Sequence, residues 1–185
     1  MDSAHFETMS AVAAATARLI AAVAGLSDAA IRAPSLLEGW TRGHVATHVA
    51  RSCDTMCGML AWARTGEGAP GRPSREEREA AIAAGAGRSA AELAADLAVS
   101  AAKFTAEAEE MTEDDWGVVI AAPAGASFPA LEIPTRRLVE VELHHTDLDL
   151  GYGRADWTPG FADMALPEPM RTWRSERASR RPGTP

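Results

Sequence analysis

The chain of 185 residues carries 26 acidic and 18 basic side chains, a net charge of −8, and only two cysteines. This length predicts one domain. The acidic balance argues against a general binder of nucleic acid or anionic membranes, because such surfaces need clustered positive charge. The apolar fraction of 46% is rich in alanine and poor in aromatic residues, which favours helices and nearly excludes an all-β fold.

Apolar side chains at steps of three and four predict two helices in the first third of the chain. One covers residues 3–24 and the other covers residues 41–64, with Thr41 as its expected N-cap. The connector between them contains proline and glycine and ends at Trp40, which we expect to pack at the end of a helix bundle.

The rest of the chain predicts two further long helices. Ser89 and Glu92 have the spacing of a capping box in front of the third. Beyond Gly151, turn signals and prolines leave only weak helical prospects. In chain order, the segments are a Gly/Pro loop at 66–74, a short helix at 74–84, a long helix at 89–111, a mostly looped stretch at 112–134 and a helix at 135–150. Four substantial helices predict an all-α bundle over residues 1–158 and a mostly irregular, partly disordered tail over residues 159–185.

The sequence also predicts a cytoplasmic protein. It has no charged-then-apolar leader and no run of 18 apolar residues, so neither secretion nor a membrane span is expected.

Cys53 and Cys57 lie inside a predicted helix, where free cysteines usually behave as small core residues. The arginines between Arg171 and Arg181 are interpreted as a solvated end rather than a binding arm. Oligomer formation stays open.

One stripe of the helix at 135–150 carries metal-binding residue types. Glu140 and His144 are one turn apart, and Asp147 returns to the same face. Carboxylate and imidazole both suit zinc and its neighbours. The helix at 41–64 offers His48 on its inward face, with His44 one turn earlier. His48, Glu140 and His144 would leave a fourth position for water or substrate, as in catalytic zinc sites.

Simpler interpretations compete with this one. A Glu/His pair four residues apart is common as weak support on exposed helices. His145 points about 100° away from His144 and is expected to pack or to support a ligand rather than to bind metal. The cysteines could bind metal, although a core role is favoured. Whether His44 joins the site is left open.

Two motifs resemble a known family. The segments PSLLEGWTRGHVATHVA, residues 34–50, and EVELHHTDLDLGY, residues 140–152, are similar to the mycothiol-dependent maleylpyruvate isomerase family. The resemblance covers about residues 5–160 and implies a DinB-like four-helix bundle as the N-terminal domain. It also implies a divalent metal, typically zinc, held by His48, Glu140 and His144.

The same resemblance implies two residues that hold the thiol cofactor mycothiol, namely Asp147 and Arg78. Arg78 lies in REEREAAIAAGAGR, residues 75–88, where Arg75 would replace it in a shifted alignment and a solvated helix charge is the simpler interpretation. Family members continue into a second, smaller domain that contributes an active-site arginine. We expect the tail at 159–185 to stand in place of that domain here.

The resemblance implies an enzyme that activates a thiol at a metal and acts on an electrophilic small molecule. It would be a maleylpyruvate-type cis-trans isomerase or a mycothiol S-transferase. Two other hypotheses stay open. One is a non-catalytic metal-binding or regulatory bundle, and the other is a metalloprotein that uses another thiol such as bacillithiol.

Overall fold

The computed structural model describes residues 3–67, 73–121 and 127–180. Four long helices form a bundle in which α1 and α3 each pack against both α5 and α7. The seam between α3 and α7 is therefore opposite the seam between α1 and α5. The long helices are α1 (Ser3–Ala24), α3 (Arg42–Thr65), α5 (Ala90–Glu109) and α7 (Ile133–Asp147). The predicted all-α bundle is confirmed.

Shorter elements connect the bundle helices and extend them. An antiparallel hairpin of β1 and β2 pairs Ile120 with Phe128. Single 3-10 turns cover Ala130–Glu132 and Phe161–Asp163. The short elements are α2 (Asp28–Ile31), α4 (Arg75–Gly85), α6 (Glu113–Gly117), β1 (Val119–Ala121), β2 (Ser127–Pro129) and α8 (Met170–Ala178).

The helix starts follow the capping signals in the sequence. Thr41 accepts a hydrogen bond from the backbone N–H of His44, which confirms the predicted N-cap of α3. Ser89 and Glu92 form the predicted capping box of α5. The apolar stripes of the four long helices meet in one core, whose fully buried members include Leu19, Leu60, Leu97 and Leu138.

Two glycines allow α4 to lie close against α3. A Cβ on Gly43 would come within 2.2 Å of the backbone oxygen of Ala86, and one on Gly85 within 2.5 Å of the Thr47 side chain. Any larger residue would push these segments apart. The close contact fixes α4 beside the first turns of α3.

The structure differs from the sequence-based prediction in two segments. The described part of residues 112–134 contains α6 and the strands β1 and β2, where Ile120 and Phe128 are buried, rather than mostly loop; residues 122–126 of that predicted loop lie outside the described ranges. The predicted tail contains α8, whose Met170 is buried and whose Arg174 donates to the carbonyl oxygens of Phe161 and Met164. Tertiary contacts stabilise both segments where local propensity is weak. The last five residues of the predicted tail and part of the predicted loop at 66–74 lie outside the described ranges.

The first helix has a second possible interpretation by composition. In the described part of the chain, α1 is long and apolar enough to cross a membrane, although core helices and signal sequences share that property. Its buried residues, among them Leu19 and Val23, pack in the bundle core. Its Arg18 forms an ion pair with the fully buried Glu142 of α7 at 3.1 Å. These contacts make α1 an integral element of the bundle.

Candidate metal centre

Three side chains of predicted metal-binding type meet in the seam between α3 and α7. Glu140 Oε2 lies 3.1 Å from His48 Nε2 and 3.6 Å from His144 Nε2. One donor atom from each of the three side chains lies within 4.8 Å of the others. All three are partly exposed, so the cluster is open to a ligand from solvent. The structure brings together the three residues that the sequence selected.

The backbone around the cluster is fixed by contacts between the start of α3 and the end of α7. Arg42 Nε donates to Leu148 O at 2.7 Å and Arg42 Nη2 donates to Asp149 O at 2.9 Å. The backbone N–H of Leu36 donates to Asp147 O at 2.9 Å. Carbonyl groups at a helix C-terminus have no partner within the helix, and a cation is favourable there. Arg42 therefore sets how α7 is placed relative to the helix that carries His48.

Glu140 is held as an anion in this cluster. Burial would raise its pKa, but the hydrogen bond from His48 and the charges of His144 and Arg137 outweigh that effect and lower the pKa to about 2. The carboxylate is therefore deprotonated and ready to accept a cation at neutral pH.

Asp147 orients the second histidine. Its Oδ2 lies 3.0 Å from His144 Nδ1, and the aspartate side chain is fully buried. In the neutral tautomer that donates from Nδ1–H to Asp147, Nε2 carries no hydrogen and is available to a metal, which is the tautomer that a metal ligand needs. Burial acts to raise the pKa of Asp147, but its contacts with His144 and Arg177 lower it overall, so the carboxylate stays charged.

Two arginines from the C-terminal segment complete this arrangement. Arg177 donates to both carboxylate oxygens of Asp147, with Nε–Oδ1 at 3.2 Å and Nη2–Oδ2 at 3.0 Å. Arg180 Nη1 adds a contact to Oδ1 at 3.3 Å. The interpretation of these arginines as a solvated end was wrong for Arg177, whose side chain is only 11% exposed. The three-residue spacing of Arg174, Arg177 and Arg180 is a pattern in the sequence that could have indicated a helix here.

The two residues expected to hold mycothiol are placed differently. Asp147 contacts protein groups through both carboxylate oxygens. Arg78 is exposed on α4, a helix that packs against α3. Arg75, its alternative, is also exposed and pairs with Glu79 at 2.7 Å. A role for Asp147 or Arg78 in thiol binding stays a prediction.

His44 and His145 make contacts outside the metal-type cluster. His44 Nδ1 accepts from the backbone N–H of Thr41 at 3.2 Å, so its ring closes the capping box of α3. The Trp40 ring contacts His48, with ring centroids 5.5 Å apart, and packs at the end of the bundle as predicted. His145 stacks on Tyr152 at 3.6 Å. Burial and the charge of Arg18 lower the pKa of His145 to about 4, so its ring is neutral.

Cys53 and Cys57 are buried and free, as expected for core residues. The Cys53 thiol donates to Ser100 O at 3.2 Å, away from the candidate metal centre. Neither cysteine belongs to the metal-type cluster found among the described residues.

One known protein family matches most of this chain. Residues 12–149 match the family described as the mycothiol maleylpyruvate isomerase N-terminal domain. The chain belongs to this family. The match includes all of α3 and all of α7, and thus both helices that carry the candidate metal centre.

Two solved structures extend the likeness. Crystal structures of a mycothiol-dependent maleylpyruvate isomerase and of its histidine-to-alanine mutant superpose with a TM-score of 0.80 at 29% and 28% identity, covering 86% of this chain. The chain covers 66% of each of those proteins, just under two thirds of their length. Among curated proteins, none matches the sequence.

The residues present fit a divalent metal of the kind expected in this family. Two imidazoles and one carboxylate are the ligand types of open zinc sites, and the three donors are already grouped. Asp147 supplies the carboxylate partner that metal-bound histidines usually have. His48, Glu140 and His144 are thus the side chains that would hold such an ion.

Proposed function

We propose that this protein is a divalent-metal-dependent enzyme that activates the thiol of mycothiol. It would act as a maleylpyruvate-type cis-trans isomerase or as a mycothiol S-transferase, working in the cytoplasm on small molecules. The observation that carries the proposal is the convergence of His48, Glu140 and His144 in a partly exposed seam, in a chain that belongs to the isomerase family.

The chemistry required is the generation of a thiolate at neutral pH. A free thiol with a pKa of about 8.5 is mostly protonated, and a metal held by these three ligands would supply the positive charge that stabilises its anion. In the isomerase reaction, reversible addition of that sulfur to a conjugated double bond permits rotation. In the transferase reaction, the sulfur stays on the product.

The residues of this chain define and orient the site. Glu140 offers a permanent negative charge, so one side of the ion is neutralised and one positive charge remains for the sulfur. Asp147, itself bound by Arg177, contacts Nδ1 of His144 and so orients its ring and favours the tautomer with Nε2 free for a metal. The Trp40 ring packs edge-on against His48, with ring centroids 5.5 Å apart. The thiol and the electrophile would bind where the three partly exposed side chains meet solvent.

The first experiment measures bound metal. Wild type, His48→Ala and Glu140→Ala are purified and analysed for zinc, with His44→Ala as the matched control four residues earlier on the same helix. We expect one metal per wild-type chain and per His44→Ala chain, and loss of metal in the other two variants. Full metal retention in both ligand variants would refute the proposed site.

The second experiment identifies the reaction. Metal-loaded wild type is incubated with mycothiol and either maleylpyruvate or an alkylating electrophile, and the small molecules are analysed by mass spectrometry and NMR. A trans isomer with unchanged mycothiol indicates the isomerase, and a stable thioether indicates the transferase. Bound metal with neither product would refute an enzymatic role and support a non-catalytic bundle.

A further inference from the structure

A groove of about 200 Å³ lies between α1 and α5, across the bundle from the candidate metal centre. Most of its lining residues are apolar, four of them alanines, and Arg137 from α7 also lines it. Thr16 is a polar residue in its wall, and Phe104 is buried beside it. The groove opens between α1 and α5, whereas the metal ligands lie between α3 and α7, and Arg137 is a residue common to both because it lines the groove and also contacts α3.

Arg137 is an unusual side chain for the interior of a bundle. The residue is 1% exposed, and its Nη1 donates to Val49 O at 2.9 Å. Its Nη2 is buried without a hydrogen-bond partner in the described part of the chain. A guanidinium keeps its charge in proteins and has five N–H donors. A buried donor of this kind without a partner costs free energy, so its presence calls for an acceptor.

Thr16 gives a second, independent indication in the same groove. It is buried, and no described residue accepts or donates a hydrogen bond to its Oγ1. A core position on an apolar helix stripe could hold valine without such an unpaired hydroxyl. Arg137 and Thr16 therefore line one small groove from two different helices, and each has a buried polar atom without a hydrogen-bond partner among the described residues.

We propose that this groove binds a small organic carboxylate with a short aliphatic chain. Its carboxylate would accept hydrogen bonds from Arg137 Nη2 and Thr16 Oγ1, and its hydrocarbon part would lie against the alanines and Phe104 of the wall. A carboxylate matches guanidinium geometry and neutralises its charge. With one arginine and no other cation among the lining residues, the groove suits a single negative charge better than a phosphate. Its volume suits a ligand smaller than a drug-sized molecule.

The test uses hexanoate as the probe and the full-length chain labelled with ¹⁵N. Titration followed by NMR should move the backbone signals of α1 and α5 and the side-chain signals of Arg137, with a Kd on the order of 1 mM for so small a ligand. Hexan-1-ol has the same chain without the charge and should bind about tenfold more weakly or worse. This readout is independent of metal, mycothiol and activity, so it is unaffected if the proposed function fails.

A matched pair of surface variants keeps the test independent of folding. Ala17 and Ala14 are both exposed on α1, but only Ala17 lines the groove. Ala17→Leu should weaken hexanoate binding by about tenfold or more, whereas Ala14→Leu should bind like the wild type. Arg137→Met and Thr16→Val, checked for folding by their NMR spectra, should weaken binding as well.

Three results would overturn the proposal. The first is the absence of any shift at about 10 mM hexanoate, which would mean that water satisfies Arg137. The second is equal binding of hexan-1-ol and hexanoate. The third is equal binding by Ala17→Leu and Ala14→Leu, which would place the hexanoate elsewhere on the protein.

Discussion

Replacing Arg177 should weaken metal binding although this residue touches none of the three ligands. Arg177 donates two hydrogen bonds to Asp147, and Asp147 in turn fixes His144 through Nδ1. In Arg177→Gln the neutral amide cannot reproduce the charged two-pronged contact. His144 would then lose part of the support that sets its tautomer and orientation.

The expected loss of metal affinity depends on the contacts that Asp147 keeps in Arg177→Gln. Hydrogen bonds to charged groups contribute about 1.5–3 kcal/mol each, but Arg180 and His144 still contact Asp147 in the variant. We expect a net loss of about 1.4 kcal/mol in metal binding, which is about tenfold in Kd. This is at the lower end of the 10- to 100-fold effects typical of residues behind metal ligands.

The assay is competition for zinc between the protein and a chromophoric chelator, with the cobalt form examined by absorption spectroscopy. Arg171→Gln is the matched control, because Arg171 lies on the same helix, is 64% exposed and pairs only with Glu168 among the described residues. Arg177→Lys should recover part of the affinity. If Arg177→Gln and Arg171→Gln bind zinc equally well and show the same cobalt spectrum, the proposed support of His144 by α8 is wrong.

Three further predictions concern stability. Folding lowers the pKa of His145 from its ordinary 6.5 to about 4, so the stability that the neutral ring contributes is complete above pH 6.5 and is lost as the pH falls toward 4. In denaturant titrations of the metal-free proteins over that interval, the unfolding free energy of the wild type should fall by up to about 3 kcal/mol more than that of His145→Phe. Parallel curves for the two proteins would contradict this. Gly43→Ala should lower the unfolding free energy by about 1–3 kcal/mol in the same assay, since its Cβ would overlap Ala86 O; an unchanged midpoint would show that α4 moves freely. Tyr152→Phe should lower the unfolding free energy by about 1.5–3 kcal/mol, because it removes the hydrogen bond to the buried Glu142 carboxylate. An unchanged unfolding free energy would mean that the other hydrogen-bond donors to Glu142 suffice.

The parts of the fold that the sequence predicted are those dictated by local patterns. The stripes of α1, α3, α5 and α7 have helical periodicity, and Thr41 and Ser89 are N-caps whose effect is confined to the first turn. The β1–β2 hairpin lacks such a pattern, and α8 has only the three-residue spacing of Arg174, Arg177 and Arg180. They are held by tertiary contacts, such as the stacking of Arg136 on Phe128 and the pairing of Arg177 with Asp147.

The candidate site shows the same division. Glu140, His144 and Asp147 share a stripe of α7 because of helix geometry alone, so their grouping follows from spacing. That His48 faces them depends on how α3 and α7 are placed, which Arg42 fixes through carbonyl oxygens more than 100 residues away in sequence. The sequence of α8 does not indicate that Arg177 reaches the same site. The position of α8 depends on tertiary contacts, such as that of Arg177 with Asp147, and not on its own sequence pattern.

The charges of α7 explain why this helix organises the whole protein. Four of its charged residues face four different surroundings: Arg137 the groove between α1 and α5, Glu140 the histidine cluster, Glu142 the pair of Arg18 and Tyr152, and Asp147 the arginine Arg177. A buried charge is tolerated only where an opposite charge or hydrogen bonds compensate it. Glu142 and Asp147 are compensated within the chain. Glu140 lies among the ligand-type side chains His48 and His144, and Arg137 has a buried Nη2 without a partner among the described residues. These two charges are therefore the places on α7 where we propose bound partners, a metal ion at Glu140 and a carboxylate at Arg137.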